Sequence, residues 1–208
     1  MITSQHKAWF EHVFHPVART LARWNVSPAV LTLLGPVLTS LACAWFVHTR
    51  AVAPFCLTMG AIGVLDGLDG AVARISGRAT KVGAYLDAMA DRYVEALVVL
   101  SAAWVSGYWV LSMISLMGGQ MVSYAKARAG MEVPVSNLEW PDLMERLERS
   151  VMFLVGLLAS ALLPWRPLGR DLFWWTLLLL AVLTHLTVAQ RMRRAIQVIR
   201  KRAGSPAS

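Results

Sequence analysis

The chain has 208 residues, 57% of them hydrophobic and only 15% charged, against roughly a quarter charged in an average soluble domain. That balance argues against a disordered chain and against an ordinary water-soluble globule. It also leaves no room for a second folded domain, because six membrane spans of about 20 residues would use about 120 positions. The formal charge of +8 is either a partner-binding surface or a topology signal.

The first stretch, 4–25, has helical periodicity. Phe10, Val13, Phe14, Val17, Leu21 and Trp24 fall on one face, and His6, Lys7, Glu11, His15, Arg19 and Arg23 on the other. This is the pattern of an amphipathic helix lying in a membrane interface. A secretory leader is not expected, since the first long apolar run begins only near Pro28. Asn25-Val26-Ser27-Pro28 breaks the pattern and starts the next helix, with Ser27 as N-cap and Pro28 in the first helical position.

Six apolar segments follow, at about 28–48, 52–74, 82–106, 109–130, 144–164 and 169–191. Gly77, Gly107, Pro134, Pro141, Pro164 and Pro167 fall in the gaps. A basic tail, 192–208, closes the chain. Cys43 and Cys56 both lie in apolar runs without metal or redox spacing, so a disulfide framework is not indicated. The expected fold is an all-α integral membrane protein, a single domain over 1–208, with six transmembrane helices preceded by the interfacial helix.

Basic residues give the orientation. Arg50, Arg166 and Arg170 belong to one set of ends, and the other seventeen of the 20 lie on the opposite side. The positive-inside bias therefore places both termini in the cytoplasm, in an inner or cell membrane. Trp45, Trp104, Trp109, Trp165, Trp174 and Trp175 cluster at the outer ends, as an aromatic belt does. Much of the +8 is thus topology, and nucleic acid is not an expected partner because no groove-reading motif accompanies the charge.

Spans two and three break the apolar rule. Asp66 and Asp69 stand at i, i+3 on one, and Asp87 and Asp91 at i, i+4 on the other, so each pair shares a helix face. A carboxylate at mid-membrane depth costs about 2.5–3.5 kcal/mol on insertion scales. Both pairs sit roughly 7–14 Å in from the inner helix ends, at matching depth, so the four acids can converge. Converging carboxylates repel unless cations neutralise them. An all-oxygen ligand set selects hard metals, Mg²⁺ first, with Mn²⁺ or Ca²⁺ as alternatives. Four anions suit two divalent ions able to clamp a phosphoryl group in transfer. A proton or cation relay in a transporter uses the same acids. Against the relay stand Gly70, Ala71 and Ala73, whose small side chains admit a ligand, and Arg74, Arg78, Thr80 and Lys81, whose chemistry suits a diphosphate.

The pattern Asp66-x2-Asp69-Gly70-x2-Ala73-Arg74-x8-Gly83-x3-Asp87-x3-Asp91 resembles, at every fixed position, the signature of the CDP-alcohol phosphatidyltransferases. The resemblance implies a metal-dependent membrane enzyme that moves a phosphatidyl group from CDP-diacylglycerol to an alcohol, releases CMP, and commonly forms a homodimer. It also implies site roles. Asp66, Asp69, Asp87 and Asp91 would ligate metal, with Asp91 doubling as general base. Gly70, Ala73, Arg74, Thr80 and Gly83 would contact the CDP-lipid together with Asp69, and Ala29 and Thr32 would lie near the nucleotide.

Ser123, Lys126, Arg149 and Arg191 fall on the cytoplasmic side of later segments and together suit the phosphate of a phosphorylated acceptor. Their surrounding blocks resemble the phosphatidylinositol-phosphate and archaetidylinositol-phosphate synthase branch, which implies inositol phosphate as acceptor. Glycerol phosphate is the alternative acceptor. The acidic, proline-broken stretch 130–142 matches neither. Of the singletons, Arg92 is expected to pair with a nearby acid and Glu95 to bond between helices. His185 is expected to be a hydrogen-bonded packing residue.

Overall fold

A computed structural model describes residues 15–24, 27–132 and 143–203. Every regular element among them is helical. The helices are α1 (15–23), α2 (Pro28–Thr49), α3 (Val52–Ile75), α4 (Lys81–Ser106), α5 (Trp109–Glu132), α6 (Arg146–Leu162) and α7 (Leu172–Ala203). Among the described residues three segments are long and apolar enough to cross a bilayer, Val30–Thr49, Val52–Ile75 and Leu172–Lys201. The chain divides into two compact units, Met1–Val105 and Ser106–Ser208.

In the first unit α2 packs against α3. The turn between them is made by Arg50, whose N–H closes the helix on the Phe46 carbonyl at 2.8 Å and whose left-handed backbone (φ 56°) then turns the chain away. Phe46 and Phe55 then stack face to face, ring centroids 4.1 Å apart, both fully buried.

At its other end α3 stops in a turn that suits glycine. Gly77 sits at φ +66°, its N–H bonds the Arg74 carbonyl, and the Arg78 N–H bonds the Ala73 carbonyl at 2.9 Å. This closing motif satisfies carbonyls that the helix leaves open and reverses the chain toward α4 within a few residues. Thr80 caps α4, accepting the Gly83 N–H on Oγ1 at 3.0 Å.

The described part of the first helix packs on α3 through a small side chain. Ala18 is fully buried against Leu68, Ala71 and Val72 of α3, with Leu21, Ala22 and Leu31 packed beside them, while Val17 and Trp24 are exposed. The small Ala18 side chain lets α1 approach closely, which hydrophobic periodicity alone does not register. Residues 1–14 lie outside the described residues, including Phe10, Val13 and Phe14 of the predicted stripe.

In the second unit α7 is the shared partner of α5 and α6. Glycines set the approach. A Cβ added at Gly118 of α5 would overlap Thr184 and His185, and one at Gly156 of α6 would overlap Thr176. Small residues at such crossings let backbones come together where lipid offers no hydrophobic drive. Phe153 meets Phe173 edge to face at 5.2 Å. His185 bonds the Ala181 carbonyl at 2.9 Å, the packing role expected of it.

Helix starts explain where the predicted boundaries shift. Segment six begins at Leu172 rather than 169, because Pro167, Leu168 and Gly169 form a tight turn and Asp171 takes the Trp174 N–H at 2.9 Å as cap. Asp171 also accepts the Tyr108 hydroxyl at 2.7 Å. Burial, and then that bond to Asp171, hold the Tyr108 phenol above its ordinary value. Segment five begins at Arg146 behind a Glu145–Glu148 capping box. The basic tail is helical through Ala203, and residues 204–208 lie outside the described residues.

Candidate functional site

The tight α3–α4 turn brings the two acidic helix segments side by side. Asp66 and Asp69 of α3 and Asp87 of α4 each offer a carboxylate oxygen, and these oxygens lie within 4.8 Å of one another. Asp69 is buried, and Asp66 and Asp87 are partly so. Asp91, one turn farther along α4, is outside that group and is itself partly buried.

Asp69 is held most firmly. Thr32 of α2 donates its hydroxyl to Asp69 Oδ2 at 2.6 Å, and the Gly70 N–H bonds Oδ1. Gly35, one turn along α2, faces Asp66, whose Oδ1 would lie 3.8 Å from a Cβ at that position. Helix α2 therefore walls the acids without contributing one.

Three carboxylates this close repel unless a cation neutralises them. Their all-oxygen donor set fits a hard divalent ion such as Mg²⁺ or Mn²⁺, with Asp66, Asp69 and Asp87 as the residues that would hold it. When bound, such an ion neutralises diphosphate charge and stabilises a phosphate leaving group.

Next to the acids the signature residues form a cationic ledge. The Arg74 guanidinium folds back over Gly70, with one terminal nitrogen 3.3 Å from where a Cβ would sit. Arg74 and Thr80 are exposed, while Gly70, Ala73 and Gly83 are half-buried. The Ala29 side chain lies outside what is described. Glu95 accepts from Arg92 of its own helix at 2.8 Å, which gives Arg92 the acid partner expected of it. The i, i+3 spacing brings these two side chains together on one face.

In the second unit the structure buries two of the four residues expected to bind acceptor phosphate, Arg149 and Arg191. Arg149 donates to the Met144 carbonyl at 3.4 Å. Arg191 of α7 donates to the Val122 carbonyl of α5, one residue before Ser123. Ser123 and Lys126 are half-buried on α5.

Residues 25–187 match the family model for CDP-alcohol phosphatidyltransferase, which is most of the chain. The chain belongs to the CDP-alcohol phosphatidyltransferase family. It is an integral membrane enzyme of that family, so the transporter reading of the acids falls away.

Two curated relatives of this phosphatidyltransferase stand at similar distance. It is 31% identical to an archaetidylinositol phosphate synthase of Pyrococcus horikoshii over 86% of this chain and 88% of the relative. It is 32% identical to a phosphatidylinositol phosphate synthase of Mycobacterium tuberculosis over 89% and 87%. The crystal structure of Mycobacterium tuberculosis phosphatidylinositol phosphate synthase with CDP-DAG bound superposes with a TM-score of 0.78 at 28% identity, covering 88% of this chain and 94% of that one. A second structure of that enzyme, in complex with manganese and citrate, superposes with a TM-score of 0.76, covering 86% and 87%.

Sequence reasoning missed Gly35. Its signal was a glycine beside Pro36, one helical turn after Thr32. Gly70 carries a testable consequence for the phosphatidyltransferase. Gly70→Ala presses only on the flexible end of Arg74, so thermal stability is expected to hold. The KM for CDP-lipid is expected to rise several-fold as the guanidinium shifts. A steady-state titration of CDP-diacylglycerol beside a melting curve checks both.

Proposed function

We propose that this enzyme transfers the phosphatidyl group of CDP-diacylglycerol to a hydroxyl of inositol phosphate, giving phosphatidylinositol phosphate and CMP. The observation that carries this is the convergence of Asp66, Asp69 and Asp87 beside the Gly70–Arg74 ledge. Support for the acceptor comes from the names of the curated relatives and from the buried guanidinium groups of Arg149 and Arg191.

In this reading Asp66, Asp69, Asp87 and Asp91 hold divalent metal, as two ions. Arg74, with Gly70, Ala73, Thr80 and Gly83, seats the diphosphate, and Ala29 and Thr32 lie near the nucleotide. Arg149 and Arg191, with Ser123 and Lys126, clamp the acceptor's phosphate in bidentate fashion. Asp91 takes the proton from the acceptor hydroxyl, and that oxygen forms a bond to the β-phosphorus. The bond from the β-phosphorus to the bridging oxygen breaks, and its electron pair leaves on CMP. A loose phosphoryl-transfer transition state asks mainly for positioning, so a base that also faces the metal serves.

The reading extends to architecture. The helices α2 to α7 are six membrane spans of one catalytic domain, behind an interfacial α1. Both termini and the active site face the cytoplasm, as the basic bias supports, and two copies form a homodimer.

Purified protein with CDP-diacylglycerol and Mg²⁺ tests the proposal against a panel of acceptors. CMP release with inositol phosphate, abolished by chelator, is expected. Release with glycerol phosphate alone reassigns the acceptor, and no release with any acceptor overturns the function.

A further inference from the structure

Helix α2 supplies no acid, yet its Thr32 hydroxyl reaches one. Several helical hydroxyls bond back to a carbonyl of their own helix, four residues earlier for Thr20, Ser40, Thr49, Ser76, Thr176 and Thr187 and three earlier for Ser160 and Thr184. That is the local, low-consequence use of a helical hydroxyl. Thr32 differs in reaching a partner on another helix, the Asp69 carboxylate, at 2.6 Å.

An ionised carboxylate only accepts, so the threonine must donate. Both groups are 8% exposed, and Asp69 is the one buried member of the three-acid group. With the Gly70 N–H on the other oxygen, the plane of the Asp69 carboxylate is fixed by two donors from different helices. The local backbone suits this post. Pro36 lacks the N–H that a helix would offer to the Thr32 carbonyl, and Gly35 between them presents bare backbone to Asp66.

We propose that Thr32 is a positioning residue of the metal centre, fixing the Asp69 carboxylate in its ligating orientation. This goes beyond a nucleotide contact, and it rests on reading the aspartate group as the metal site.

The test is Mn²⁺ binding to the full-length purified protein, read by electron paramagnetic resonance without turnover. Hydrogen-bond partners of metal ligands typically change affinity by roughly 10–100-fold when removed, and Thr32→Val is expected to lose about that much. Thr32→Ser keeps the hydroxyl and is expected to restore wild-type affinity. Should Thr32→Val not fold, Thr32→Ala carries the same expectation. Wild-type Mn²⁺ affinity in the valine or alanine variant, with a raised KM for the CDP-lipid, would overturn the positioning role and assign Thr32 to the nucleotide. A wild-type protein that binds no Mn²⁺ would instead overturn the metal-centre reading beneath it.

Discussion

Asp91→Asn is expected to lower CMP release by roughly 10²–10⁴-fold, the range typical of a lost general base, while weakening Mn²⁺ binding less than Asp87→Asn does. Asparagine keeps the shape of aspartate and removes its basicity. The difference rests on position, since Asp87 belongs to the tight group with Asp66 and Asp69 and Asp91 stands one turn farther along α4. Asp87→Asn makes the contrast. It removes one of three clustered anions and is expected to lose Mn²⁺ binding and turnover together. Metal titration and CMP release on the two variants check the pair. Equal loss of Mn²⁺ binding in both would leave Asp91 a ligand with no separate role as base.

The second large effect concerns the acceptor. Arg191→Ala is expected to raise the KM for inositol phosphate by roughly 10–150-fold, the equivalent of one hydrogen bond to a charged group at about 1.5–3 kcal/mol. The KM for CDP-diacylglycerol should stay where it is. Arg191 also ties α7 to α5 through the Val122 carbonyl, so a melting curve must accompany the kinetics. Arg191→Lys keeps the charge but not the planar fork, and an intermediate KM is expected. If both KM values rise together, the guanidinium serves packing rather than the acceptor.

The helices were legible because their ends are written in residues with strong local preferences. Gly77 and Gly107 adopt φ of +66° and +78° at the ends of α3 and α4, and Pro28 opens α2. The acids were legible because carboxylates in apolar helices have no cheap explanation, and i, i+3 and i, i+4 spacing fixes their faces. What a single helix cannot encode is how closely another approaches it. Burial of Ala18 rather than Val17 on α3, the bare Gly118 and Gly156 crossings, and the reach of Thr32 to Asp69 are all pairwise geometry. The later start of α7 had a different cause. Asp171 competes as a cap inside an apolar-looking segment, and the turn before it consumes Pro167 to Gly169.

The most direct test of the account is the mass of the lipid made from CDP-diacylglycerol, Mg²⁺ and inositol phosphate by the purified enzyme. The account predicts phosphatidylinositol phosphate, formed one for one with CMP and absent without divalent metal. CMP released without an inositol-containing lipid, or product formed only from glycerol phosphate, would contradict it.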